Sequence, residues 1–508
     1  MDQHASLPLD PALERWLRSG AGGGPAAEKV IETSAAWVFL YPHRALKVKR
    51  PVDFGFLDFT TLDKRQWALE RELAFNRETA PELYRCVHAI TRAGHDKETV
   101  FTFDGPGETI EWALEMSRFE DDSVLAENPG RIEPGFAETL GREIARFHAG
   151  ARRSQPRAGI DGLAYVLGSN ANLLRNLKGD LDSEAVERLV ESTQAEFDRH
   201  AELLARRGEQ GWVRRCHGDL HLGNIVAIGE RPLLFDCIEF NDRLSEIDVL
   251  YDLGFTLMDL RVRGLRQAAN RALNGWLDEA ARGDQPPWEG LALLPLFQAV
   301  RAAVRVHVSA WSGDVGLARR YLIEAQHHLE TPGPALAAVG GLSGSGKSSV
   351  ARALAPGLGP APGAVVLRSD EVRKRLWGRA PLEPLPKAAY GPGTSERVYA
   401  ALIAEGRACL KAGRAVIIDA VFLRQSEREA VEALGAEMGV RFEGVWLELD
   451  PETARARVAA RKGDASDADE RVLEMQLAQD PGRVAWKKVP GLDPSAGAAV
   501  EVARWFEE

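Results

Sequence analysis

The chain has 508 residues, 45% of them hydrophobic and 27% charged, with a formal net charge of −11. That length exceeds one ordinary core and predicts two large domains or about three smaller ones, and the composition is that of a globular rather than a disordered protein. The acidic balance argues against a broad nucleic-acid-gripping surface, while leaving room for a local basic pocket for phosphates.

Cysteines Cys86, Cys216, Cys237 and Cys409 form no C-x-x-C pair, which argues against a zinc site or disulfide framework and suits a reducing compartment. Met1-Asp2-Gln3-His4-Ala5 lacks the basic start and apolar core of a signal peptide. The strongest apolar stretch, 291–300, contains Pro295 and Gln298 and stops at Arg301, so it reads as a buried helix too short to span a bilayer. A cytoplasmic location is expected.

After a short amphipathic start, Ser19-Gly20-Ala21-Gly22-Gly23-Gly24-Pro25 reads as a flexible linker, because no strand precedes it as a phosphate-cradling loop requires. Trp37-Val38-Phe39-Leu40-Tyr41 and Ala45-Leu46-Lys47-Val48, joined by Pro42-His43-Arg44, predict a hairpin. A helix is predicted over 63–79, with Leu62, Leu69, Leu73 and Asn76 to one side. Residues 134–330 read as mostly helical, interrupted by strands and loops over 212–240.

Thr331-Pro332-Gly333-Pro334 cannot continue a helix and divides a domain of residues 1–330 from one of 335–508. Beyond it, strands at 335–340, 364–368, 415–419 and 445–449 alternate with helices from 347, 371, 426 and 452. Repeated strand–helix units predict a parallel sheet covered on both faces. No internal repeat relates the two halves.

The first chemical signature is His217-Gly218-Asp219-Leu220-His221-Leu222-Gly223-Asn224, followed by Leu233-Leu234-Phe235-Asp236. Phosphoryl transfer needs a carboxylate to orient or deprotonate the acceptor hydroxyl and oxygen ligands to hold Mg²⁺ on the phosphates. The H-x-D-L-x-x-x-N spacing supplies a base and one ligand from a single loop, and Asp236 ends an apolar strand where a second ligand belongs.

These residues resemble the aminoglycoside phosphotransferase and choline kinase family over roughly residues 30–330. The resemblance implies an α+β bilobal protein-kinase-like fold, Asp219 as base, Asn224 and Asp236 on magnesium, and a strand lysine paired with a helix glutamate to steady the ATP phosphates. Lys47 and Lys49 face the same way on their strand; Lys47, between Leu46 and Val48, is favoured over Lys49 beside Arg50-Pro51. Glu72 is favoured over Glu70 because it lies nearer the Leu69/Leu73 face. Thr33-Ser34-Ala35-Ala36, where the nucleotide is covered, departs from the pattern of many protein kinases in having no glycine.

The second signature is Gly341-Leu342-Ser343-Gly344-Ser345-Gly346-Lys347-Ser348, a full G-x-x-x-x-G-K-S loop behind an apolar strand, with Ser349 opening the following helix. Glycines let backbone N–H groups converge on phosphate oxygens at a helix N-terminus; Lys347 is expected on the β- and γ-phosphates and Ser348 on Mg²⁺. Asp419 ends a buried strand at the position that orients the magnesium shell. Asp370, at the carboxyl end of another strand, is placed to meet an acceptor hydroxyl, or else to cap the next helix. Arg373, one turn on, could hold an anionic group.

This half resembles the P-loop small kinases related to polynucleotide, gluconate and chloramphenicol kinases and zeta-type toxins. The resemblance implies a mobile lid with arginines for the transferring phosphate, for which Arg457 and Arg461 stand four apart, ahead of a polar loop at 462–468. The long, proline-rich loop at 379–393 is expected to shape an acceptor pocket.

Together these readings predict an α+β kinase-like fold followed by an α/β P-loop fold. The expected activity is a bifunctional, ATP- and Mg²⁺-dependent phosphotransferase acting on hydroxyls of small molecules. The alternatives are one catalytic domain regulated by the other, or a C-terminal kinase of nucleic acids or nucleotide sugars. No nucleic-acid or membrane partner is expected, and the oligomeric state stays open.

Overall fold

The computed structural model describes residues 8–94, 99–177, 179–330, 332–460, 466 and 470–491. The described chain forms two compact units: Met1–Ile132, Gly150–Val166 and Ala205–Asp252 make the first, and Glu133–Ala149, Leu167–Leu204 and Leu253–Glu508 make the second.

In the first unit, α1 (Pro11–Arg18) starts at Asp10, whose carboxylate accepts from the Ala12 N–H at 2.7 Å, with proline at the first helical position. A six-stranded antiparallel sheet follows in the order β1 (Lys29–Glu32), β2 (Ala36–Leu40), β3 (Arg44–Lys49), β6 (Glu108–Ser117), β4 (Tyr84–Ala93), β5 (Val100–Phe103). The period of two along β3 divides its side chains. Leu46 and Val48 join Leu13 and Leu17 of α1 in one core cluster, which leaves Lys47 and Lys49 for the opposite face.

On that opposite face lies α2 (Leu62–Thr79), started by the Thr61 hydroxyl and buried through Leu69 against Tyr84 and Leu114. The segment expected to be a flexible linker is instead a held turn. Ala21 is buried in the α1 cluster, and the Arg44 guanidinium donates to the carbonyls of Gly20 (3.2 Å) and Ala21 (3.1 Å).

Helices α3 (Pro134–Gly150), α4 (Ala158–Asn176), α5 (Ser183–Arg199) and α6 (Ala201–Glu209) come next. Strand β7 (Val213–Arg215) then pairs with β10 (Glu246–Asp248), and β8 (Ile225–Ile228) forms a hairpin with β9 (Arg231–Leu234). Helices α7 (Asp242–Ser245), α8 (Val249–Val262), α9 (Arg266–Ala280), α10 (Leu294–Trp311) and α11 (Val315–Leu329) complete this part.

Among the described residues Trp288–Trp311 is the one helical stretch long and apolar enough to cross a membrane. Its Ala302, Ala303 and Val306 are buried against Leu189 of α5 and Tyr321 and Leu322 of α11, which agrees with the expected buried helix. The helix does not stop at Arg301, however, and is longer than expected: the buried Arg301 stacks on Phe255 at 4.9 Å and α10 continues to Trp311. Helices α3 and α9 cross so closely that a Cβ on Gly141 would meet the Ala272 carbonyl at 2.0 Å, and one on Gly275 the Glu138 carbonyl at 2.3 Å.

The second unit also holds a five-stranded parallel sheet in the order β12 (Val365–Arg368), β13 (Val416–Asp419), β11 (Ala335–Gly341), β14 (Arg441–Glu448), β15 (Lys487–Pro490). Helices α12 (Lys347–Leu354), α13 (Ser369–Leu376), α14 (Pro392–Lys411), α15 (Gln425–Met438), α16 (Pro451–Ala460) and α17 (Glu470–Leu477) connect and flank it. All four residues of β13 are buried, as a strand covered on both faces requires.

The edge strand β12 is closed by α9 of the same unit. Asn274 accepts from the Val366 N–H at 2.7 Å, and the amide groups of Asn270 and Asn274 donate to the Ala364 carbonyl at 3.0 and 3.2 Å. The architecture is therefore α+β followed by α/β.

Candidate active sites

Strand β3 carries Lys47 and Lys49 to the α2 face, where Glu72 waits with no exposed surface. Lys47 Nζ lies 2.7 Å from Glu72 Oε1 and 2.6 Å from Asp236 Oδ1; Lys49 Nζ lies 2.7 Å from Glu72 Oε2 and 2.6 Å from Glu239 Oε1. Burial alone would lower the Lys47 pKa, but the carboxylates of Asp236 and Glu72 more than offset it and hold the ammonium above the usual lysine range. Burial would raise the Asp236 carboxyl, and Lys47 more than reverses that, holding it below the usual range. Glu70 takes no part; it accepts from Gln66 on the exposed side of the helix.

The loop after β7 is pinned from below. Asp252 of α8 accepts from the backbone N–H groups of His217 (3.1 Å) and Gly218 (2.9 Å), and Gly218 adopts φ +86° there. His217 Nε2 is 2.8 Å from the Phe235 carbonyl, and its Nδ1 accepts from the Asp219 N–H at 3.3 Å. Those partners assign the proton to Nε2 of a neutral ring, and burial holds the His217 pKa below the ordinary value. The imidazole thus ties the Asp219 loop to the Asp236 segment.

Asp219 is held in turn: Asn224 Nδ2 donates to its carbonyl (2.9 Å) and to Oδ2 (3.0 Å), and His221 Nε2 lies 3.4 Å from Oδ2. Asp236 stands two residues past the end of β9, at φ +63°, with its N–H donating to the Tyr84 hydroxyl oxygen at 3.0 Å. A left-handed aspartate costs on the order of 1–3 kcal/mol and clusters at functional sites. With the Asn224 nitrogen committed to Asp219, its amide oxygen is left for a ligand, so amide and carboxylate oxygens form the donor set, which suits Mg²⁺.

Lys47, Asp219 and Asp236 line a cavity of about 970 Å³ with Thr33, Ala35 and Phe119. The glycine-free turn over this cavity is closed by Thr33, whose hydroxyl oxygen accepts from the N–H of Ala36 at 2.9 Å.

In the second unit, Gly341, Gly344 and Gly346 take φ of +136°, +85° and +92° between β11 and α12. A Cβ on Gly344 would meet the Ala454 carbonyl at 3.0 Å. Gln476 of α17 accepts from the Ser343 N–H at 2.9 Å, and Lys347 Nζ donates to the Leu342 carbonyl at 2.9 Å. Ser348 Oγ donates to Asp419 Oδ2 at 2.6 Å, joining the hydroxyl and carboxylate oxygens that suit Mg²⁺. Ser345 is fully buried under the loop, whereas Ser343, Gly344, Gly346, Lys347, Ser348 and Ser349 line a cavity of about 1190 Å³.

Asp370 and Asp419 line the same cavity. Asp370 is not a cap: α13 begins at Ser369, two residues earlier than expected, with Arg368 in the capping position. Arg373 donates to the Ala389 carbonyl at 2.7 Å and stacks on Tyr390 at 5.1 Å, and Lys387 and Tyr390 bring the 379–393 segment into the cavity wall. Arg457 of α16 also lines it, 3.4 Å from the Gly344 carbonyl. Arg461 and most of the expected lid loop at 462–468 lie outside the described residues.

Sequence reasoning missed Asp252 and Glu239. The signal for Asp252 was a second aspartate, four after Asp248, inside an apolar helix. For Glu239 there was only its nearness to Asp236.

The model of the phosphotransferase enzyme family matches residues 56–293, and that of the AAA domain matches 336–480. An uncharacterized protein of Mycobacterium tuberculosis is 30% identical over 455 residues, covering 86% of this chain and 87% of its own length. Among solved structures, a gluconokinase from Sinorhizobium meliloti is 25% identical, over 34% of this chain and 88% of its own, at a TM-score of 0.23. A choline kinase from Cryptosporidium parvum is 10% identical, over 59% and 87%, at a TM-score of 0.38.

Proposed function

The chain belongs to the same family as the Mycobacterium tuberculosis protein and is an ATP-dependent phosphotransferase; we propose that it is bifunctional, with one phosphoryl transfer in each unit. The observation that carries this reading is that each cavity is lined by a lysine and two aspartates, Lys47, Asp219 and Asp236 in the first and Lys347, Asp370 and Asp419 in the second. In each, a further oxygen-bearing side chain fit for Mg²⁺ is hydrogen-bonded to one of the two aspartates, Asn224 to Asp219 and Ser348 to Asp419. The acceptors are small molecules bearing hydroxyl groups. The first reaction is assigned to residues 1–330 and the second to 335–508.

At the first site Asp219, oriented by Asn224 and His221, takes the proton of the acceptor hydroxyl as its oxygen attacks the γ-phosphorus of ATP. The bond from that phosphorus to the β–γ bridging oxygen breaks and ADP leaves. Lys47, steadied by Glu72, holds the α- and β-phosphates, and Asn224 and Asp236 hold the metal. At the second site Asp370 takes the acceptor proton, and Lys347 and the Gly341–Ser349 backbone bind the phosphates. Ser348 and Asp419 hold the metal there, and Arg457 and Arg461 act on the transferring phosphate. Bound Mg²⁺ supplies charge neutralisation at both sites.

The test is incubation with γ-labelled ATP and a pool of sugars, amino alcohols, nucleosides and sugar acids. Two labelled product classes support the reading. Label released without any acceptor product, across the pool, counts against it.

A further inference from the structure

The Ser348–Asp419 pair has a resident cation. Arg368, at the end of β12 and only 3% exposed, places Nε 3.4 Å from Asp419 Oδ2 and Nη2 3.2 Å from Ser348 Oγ. Its remaining nitrogen, Nη1, donates to Glu371 Oε1 at 3.0 Å. Glu371 lies 3.8 Å from Arg142 Nη2, and Arg142 donates to Asp278, which also accepts from Arg375 at 2.8 Å. Arg142 and Asp278 stand on α3 and α9, inside the segment matched by the phosphotransferase family and in the same compact unit as the P-loop sheet. A buried row of alternating charge therefore runs from those helices to Ser348 of the P-loop and Asp419 at the end of β13.

A guanidinium on both donors of a divalent-cation site opposes that cation, because like charges a few ångströms apart repel strongly where water is excluded. Glu371 and Asp419 compete for this guanidinium: the share Glu371 holds is withdrawn from Asp419. Arg142 competes with Arg368 for Glu371.

We propose that Arg368 is a tethered counter-cation of the P-loop metal site, drawn off toward Glu371 when a divalent ion binds, and that Arg142 on α3 sets the affinity for that ion through Glu371. Arg368, Glu371 and Arg142 are positioning residues here. The inference rests on the reading of Ser348 and Asp419 as the metal-holding pair.

The test is Mn²⁺ binding, followed by the loss of free-ion paramagnetic resonance signal with a non-hydrolysable ATP analogue. The full chain is used, carrying Asp236→Ala so that the first site does not bind metal. Arg368→Gln and Arg142→Met are expected to tighten Mn²⁺ binding, by about fivefold and about twofold, and Glu371→Gln to weaken it by about fivefold.

A purely structural role would weaken all three alike, and that result, or three unchanged affinities, overturns the proposal. Ser348→Ala in the same background separates the two levels. Loss of Mn²⁺ binding there with unchanged affinities elsewhere removes the counter-cation but keeps the metal site. Retained binding removes the site itself. If Arg368→Gln does not fold, the opposite signs expected of Arg142→Met and Glu371→Gln still decide.

Discussion

Lys47 and Lys49 divide one carboxylate between them: each ammonium lies 2.7 Å from a different oxygen of Glu72. They differ in their second partners, Asp236 for Lys47 and Glu239 for Lys49. Both lysines line the first cavity, but only Lys47 touches the proposed metal ligand, so the proposed reading gives the chemistry to Lys47 and the support of Glu72 to Lys49.

Substitutions at this pair should therefore divide. Lys47→Met is expected to lower first-site turnover by about 10²-fold, as loss of one preorganised charge does. Lys49→Met and Glu72→Gln each leave buried charge uncompensated and are expected to cost about 3–5 kcal/mol in urea unfolding. Lys49→Met should retain first-site turnover within about tenfold when assayed well below its melting temperature.

A pH dependence follows from His307, 7% exposed, whose pKa burial and then Arg305 bring down to about 4 from 6.5. The folded value lies below the unfolded one, so the native state binds fewer protons. Its contribution is complete above pH 6.5, is lost as pH falls through the window to about 4, and amounts to on the order of 3 kcal/mol. His328, whose pKa burial also holds well below its ordinary value, adds to the same slope. Urea midpoints measured from pH 7.5 to 4 should fall steadily for the wild type and less steeply for His307→Gln.

Gly344 tests the phosphate loop. Its φ of +85° is strained for any residue with a Cβ, and the Ala454 carbonyl, 3.0 Å from where that Cβ would stand, crowds alanine as well. Gly344→Ala is expected to lose at least about tenfold in ATP-analogue affinity at the second site while leaving the first within about twofold. Calorimetric titration of the full chain resolves the two.

The edge of the parallel sheet gives a stability prediction. Asn274→Ala removes the acceptor of the Val366 N–H and a donor to the Ala364 carbonyl, and is expected to cost about 1–3 kcal/mol. Hydrogen exchange at Val366 should rise correspondingly.

Local patterns carried much of this into the sequence. The spacing from His217 to Asn224 and the P-loop glycines lie within single turns, where neighbours in sequence are neighbours in space. The preference for Glu72 over Glu70 followed from helical phase, and its contact with Lys47 agrees with that choice. What stayed hidden depends on long-range contact. Asp252 reaches the His217 backbone across 35 positions, and Asn274 reaches Val366 across 92. The polyglycine stretch looked like a linker because its partners, α1 and Arg44, are specified only by tertiary structure.

The most direct test of two separate phosphoryl transfers is acceptor-dependent ATP turnover with Mg²⁺ by the wild type, Asp219→Ala and Lys347→Ala, against the same acceptor pool. The account predicts that each variant loses phosphorylation of one acceptor class, by at least about 10²-fold, and keeps the other within about twofold. Loss of the same single activity in both variants would contradict it and leave one catalytic site served by a nucleotide-binding partner.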